Sequence, residues 1–80
     1  MPTLLRWNGF RFYFFSSDGD EPPHVHIDRD DATAKFWLSP IGVSRNIGFN
    51  ARDLRVIEGK VLEEQARFLE AWRDYFGTQA

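Results

Sequence analysis

The chain has 80 residues, a formal charge of −2 and a pI near 5.6, which describes one domain with a small core and no general affinity for duplex nucleic acid. It contains no cysteine, which excludes a disulfide framework or a thiolate zinc site and fits a cytoplasmic protein. Apolar residues make up 42% and aromatics 16%, so large rings fill the few core positions, while no apolar run suits a signal peptide or a membrane span.

Near the start, TLLRW and FRFYFF flank Asn8-Gly9. Both turn residues tolerate positive φ, so a tight hairpin is expected, pairing Trp7 with Phe10 and Leu5 with Phe12. Alternation then turns Phe10, Phe12 and Phe14 inward and Arg11, Tyr13 and Phe15 outward. SSDGDEPP is an acidic, turn-rich loop whose two prolines lead into an extended segment. HVHIDR and ATAKFWL form a second hairpin around Asp30-Asp31. That register sets Val25 against Phe36 and Ile27 against Ala34 on the inner face, and His24 against Trp37 and His26 against Lys35 on the outer face.

The stretch SPIGVSRNIGF supplies at most a short edge strand. Asn50 is an N-cap with Asp53 at the third helical position, and Phe49 can pack onto Leu54. Leu54, Ile57, Val61, Phe68, Trp72 and Tyr75/Phe76 then recur at helical spacing up to Gly77, which predicts one helix over 51–76. The fold class is α+β: an antiparallel meander of about four strands, five if the edge strand forms, packed on one long C-terminal helix. Residues 1–80 make a single domain.

A helix of that length runs about 39 Å, against about 30 Å for the diameter of a compact chain of this size. Its end, with Phe68, Trp72, Tyr75 and Phe76, should overhang the sheet as an aromatic interface for a homodimer or a cognate small protein.

Gly9-Phe10-Arg11-Phe12, Pro22-Pro23-His24-Val25-His26-Ile27, Ala34-Lys35-Phe36-Trp37-Leu38 and Asn46-Ile47-Gly48-Phe49 together resemble a bacterial family, the domain of unknown function 4160. The likeness covers nearly the whole chain, and Pro-Pro-His-x-His is its most specific part. The resemblance implies no activity. It does imply a gene neighbour encoding a second small protein, an arrangement similar to toxin–antitoxin pairs, which makes this chain one component of such a pair.

The only two histidines stand two apart on one strand, and three readings stay open. In the first they are catalytic: His24 and His26 act as acid and base in metal-independent cleavage of RNA, with Lys35 stabilising charge and Arg11, Tyr13 and Trp37 holding single-stranded substrate, without any cofactor. In the second, His24 and His26 bind a metal, with a third ligand from Asp18, Asp20 or Glu21, because Asp28 lies too far along the strand. In the third, the outer face is polar surface or a partner-binding face without chemistry. Arg45, Arg52 and Arg55 cluster near the helix start, most simply as solvated side chains. No Gly-rich phosphate loop or Ser/Cys nucleophile motif is present.

Overall fold

A computed structural model describes residues 3–77. The chain forms β1 (Thr3–Trp7), β2 (Phe10–Tyr13), a 3-10 turn (Asp18–Asp20), β3 (His24–Arg29), β4 (Ala32–Leu38), β5 (Ile41–Ile47), α1 (Ala51–Glu63) and α2 (Gln65–Phe76). The strands make one antiparallel meander in sequence order, so the class is α+β with five strands.

Asn8 and Gly9 both take positive φ at the first turn, and Trp7 pairs with Phe10 and Leu5 with Phe12 as their spacing requires. Asp30 takes positive φ at the second turn, and the β3–β4 ladder sets His24 opposite Trp37, Val25 opposite Phe36, His26 opposite Lys35 and Ile27 opposite Ala34. The inner face supplies Phe10, Phe12, Val25, Ile27, Ala34, Phe36 and Leu38 to the core. Ile57, Val61 and Phe68 close that core from the helices, with Phe12 and Phe68 in contact at 5.7 Å between ring centroids.

Asn50 caps α1, its side chain accepting from the Asp53 amide at 2.8 Å, and Gly77 ends α2 with φ 85°. Asp53 also accepts from Arg29, whose guanidinium lies over Phe10, so the second turn is tied to the helix start.

Three expectations are corrected. The single helix is two, interrupted at Glu64, which sits at φ −100°, ψ 10°. No proline or glycine marks that position. The side chains there hold the join instead: Glu64 meets Lys60 and Arg67, and Gln65 donates to the Leu38 carbonyl at 2.7 Å. Second, the aromatic end of the helix is not a bare overhang. Phe68 is fully buried and Trp72 is 7% exposed, because Phe14, just beyond β2, rises to meet Trp72, Tyr75 and Phe76, and His24 closes on Trp72. Tyr75 remains largely exposed. Third, Tyr13 lies on the outer face yet is buried, covered by Arg11, Phe15 and His26.

Deleting Phe68 to alanine should therefore cost about 3–5 kcal/mol in urea unfolding, whereas Leu62→Ala on the exposed side of α1 should change stability by about 0.5 kcal/mol or less. Similar losses for both would mean that the helices do not pack as described.

Candidate metal centre

The loop between β2 and β3 closes on itself before it reaches the histidines. The Phe15 amide donates to Asp18 Oδ2 at 2.7 Å, and the Asp18 amide donates to the Phe15 carbonyl at 3.0 Å. This reciprocal turn fixes the Asp18 carboxylate in place. Gly19 then lets the loop dock on α2, since a Cβ there would stand 2.7 Å from Cδ1 of Phe76. Pro22 and Pro23 carry the chain into β3, and the Pro23 carbonyl accepts from the Leu38 amide as the ladder begins.

The Asp18 carboxylate meets both imidazoles. Oδ2 lies 3.0 Å from His26 Nε2 and 3.2 Å from His24 Nε2, and one ligand atom from each of the three residues falls within 4.8 Å of the others. His24 is completely buried, walled by Trp37 at 5.7 Å and Trp72 at 5.1 Å between ring centroids. His26 is half-buried between Tyr13 and Phe15. The strand thus alternates as expected, but its outer face is capped by rings, and His24 departs from the exposed position that alternation alone assigns it.

Each nitrogen of His24 has a different environment. Nδ1 lies 2.9 Å from the Pro22 carbonyl oxygen, which can only accept, so Nδ1 carries a proton and donates. In neutral imidazole that leaves Nε2 with a lone pair. Nε2 is near Asp18 by distance, yet it is buried without a hydrogen bond because the approach is out of line. Nearness alone does not make a hydrogen bond, since the energy falls steeply off axis. A lone pair facing a carboxylate oxygen in a buried site is repulsive until a proton or a cation comes between them.

Electrostatics favours the ligand forms. Burial pulls the His26 pKa below its usual value, an effect that Asp18 only partly offsets. For Asp18, burial would raise the pKa, but the hydrogen bonds from the Phe15 amide and from His26 hold it below the ordinary carboxylate range. His26 is therefore neutral and Asp18 ionised near neutral pH, with the His26 Nε2 proton, which a bound ion would displace, donated to Asp18 at 3.0 Å.

The other residues assigned to this face fall around the cluster rather than in it. Lys35 is held by Glu21, whose pKa it depresses, and lies over the Trp37 ring. Arg11 donates to Thr3 and stacks on Tyr13. Tyr13 donates to Asp28 at 2.9 Å, and burial followed by that contact pushes its pKa up to about 12. A pair straddling a phosphate needs both imidazoles accessible, and the burial of His24 does not supply that. Of the acids offered by the loop, Asp18 is the one that reaches both rings; the turn it makes with Phe15, which the sequence reading missed, is the signal that could have singled it out.

The family model described as "Domain of unknown function (DUF4160)" matches residues 9–73, a span that takes in β2 to β5, the acidic loop, both histidines and most of the helical segment. Comparison with curated proteins and with solved structures finds no match. No helix among the described residues is long and apolar enough to cross a membrane. With four-fifths of its length matched, the chain belongs to the DUF4160 family.

Proposed function

We propose that this chain is a small metal-binding protein whose centre is Asp18, His24 and His26, selective for a first-row divalent ion such as zinc. The observation that carries the reading is the buried Nε2 of His24, 3.2 Å from a carboxylate oxygen and without a hydrogen bond of its own. Ligands about 2.0–2.1 Å from a tetrahedral zinc stand about 3.3 Å apart; the two edges to Asp18 are 3.2 and 3.0 Å, and all three ligand atoms lie within 4.8 Å of one another. Two imidazoles and one carboxylate suit zinc or another transition ion better than magnesium or calcium, which take oxygen ligands.

The surroundings suit a resident ion. The proton on His24 Nδ1 goes to a backbone carbonyl, an outer partner that fixes the tautomer and the ring orientation of a ligating histidine. Rings of Trp37, Trp72, Tyr13 and Phe15 limit water around the cluster and strengthen the attraction between ion and carboxylate. A bound ion would keep room for one further ligand, such as water, and Asp18 and His26 retain slight exposure. In a cysteine-free protein, which we place in the cytoplasm, binding by nitrogen and oxygen does not depend on thiol redox state.

Calorimetric titration with zinc near pH 7 should show one site per chain, and a hundredfold excess of free ion over Kd should stabilise the fold by about 2.7 kcal/mol. Asp18→Asn and His26→Ala should each weaken binding more than about tenfold, while Lys35→Ala stays close to wild type. Equal zinc binding by Asp18→Asn would contradict the proposed ligand set. RNA cleavage that survives chelation and is lost with Lys35→Ala would instead favour the acid–base reading.

Gly19→Ala tests the loop separately. Its added methyl should push the loop away from Phe76 and weaken zinc binding several-fold, with a modest loss of thermal stability in the metal-free protein. Unchanged affinity would mean that Asp18 is positioned without that docking.

A further inference from the structure

β5 is the last strand of the sheet, and its far edge is unpaired among the described residues. From Val43 onward every residue of the strand is exposed, with Val43 at 51% and Ile47 at 55%. Ile41 and Val43 stand opposite Leu38 and Phe36 on the helix side. The register then shifts, and Arg45 and Ile47 stand opposite Lys35 and Thr33 on the other face. The edge therefore offers backbone donors and acceptors, with apolar side chains on both faces and Arg45 on the face away from the helices.

Helix α1 runs beside this edge and leaves it open. Arg55 and Glu58 line two adjoining hollows of about 100 and 470 Å³, the first with Val43 and Leu54, the second with Ile41, Gly59 and Leu62. Leu62 is 64% exposed. At Gly59 a Cβ would meet nothing within 4 Å, so packing inside the chain does not require glycine there. Glycine in a helix interior costs about 1 kcal/mol relative to alanine, and what it provides here is a low helix surface beside an open strand.

The charges identify the kind of occupant. Arg45, Arg52 and Arg55 make no ion pair among the described residues, and Arg45 and Arg55 flank the edge from opposite faces. Glu58 is the one acid lining the hollows. A second copy docking β5 on β5 would bring two sets of these arginines together, and docking on β1 would bring Arg6 to them.

We propose that the edge of β5 takes an extended acidic–apolar segment of another protein as a sixth strand. Main-chain hydrogen bonds to β5 give the affinity, apolar side chains enter the hollows beside Val43 and Ile41, and carboxylates meet Arg55 on one face and Arg45 on the other.

The test uses labelled synthetic peptides and fluorescence anisotropy at low salt: one alternating glutamate and valine, one alternating lysine and valine, and one alternating glutamate and glycine. The glutamate–valine peptide should bind, and the other two should bind at least about tenfold more weakly. Arg55→Glu should weaken that binding about tenfold. Gly59→Gln, which fills the hollow and improves the helix, should weaken it as much while raising thermal stability. Zinc affinity should be unchanged in both variants. The proposal is overturned if no peptide binds, if the lysine–valine peptide binds as well, or if neither variant alters the affinity. A wild-type dimer that Gly59→Gln dissociates would assign the edge to a second copy, and tighter binding of single-stranded RNA than of the acidic peptide would assign the arginines to nucleic acid. Either result overturns the proposal.

Discussion

A buried imidazole must place both of its nitrogens, and in His24 the backbone entering β3 settles only one of them. The Pro22 carbonyl takes the Nδ1 proton. Nε2 is left among aromatic rings with the Asp18 carboxylate as its nearest polar neighbour, near enough to interact and too far off line to bond well. The arrangement of this end of the molecule follows from that. Asp18 is held by the Phe15 amide, the loop is pressed on α2 through Gly19, and Trp72 closes over the ring. Leaving a buried polar atom unpaired costs about 1–3 kcal/mol, a large fraction of what so small a domain has to spare. An ion shared by the three side chains would remove that cost and repay the desolvation of the carboxylate.

The same cluster joins two faces of the sheet that a simple meander keeps apart. Core packing under the sheet runs through Phe12, Ile27 and Phe68. At the start of β3, His24 passes the contact on to Trp72, and Phe14 meets Trp72 and Phe76 from the other side. Stability of the C-terminal helix is thereby coupled to the order of the acidic loop. The far edge at β5 is different in kind: its side chains carry little of the core, and it is shaped by what lies open beside it rather than by what is packed on it. The histidine–aspartate cluster and the open edge border β4 from opposite sides, the first through β3 opposite Lys35 and Trp37, the second through β5 opposite Lys35, Phe36 and Leu38.

Much of this was legible in the sequence. Positive φ at Asn8-Gly9, alternation in HVHIDR and ATAKFWL, the Asn50 cap and the Gly77 stop each follow from a local rule, and local rules fixed the registers of both hairpins. What alternation could not supply is the third dimension. It assigns His24 and Tyr13 to the outer face, where they are, but not their burial, which comes from Trp72, Phe15 and a loop folding over from elsewhere in the chain. The interruption at Glu64 was equally hidden, because its residue type is at home in a helix and its geometry is held by partners at positions 38, 60 and 67. The site was legible as two histidines and three possible acids; choosing Asp18 required the turn that it makes with Phe15.

The measurement that bears most directly on the central claim is the state of the four imidazole nitrogens, read from long-range proton–nitrogen correlation spectra of the uniformly nitrogen-15-labelled protein with and without zinc. On this account, zinc moves Nε2 of both His24 and His26 to the positions of metal-bound nitrogen, while Nδ1 of His24 keeps its proton and its bond to Pro22. Spectra in which saturating zinc leaves both Nε2 resonances unmoved, or in which His24 carries protons on both nitrogens at neutral pH with zinc present, would show that a proton rather than a metal ion resolves the contact with Asp18.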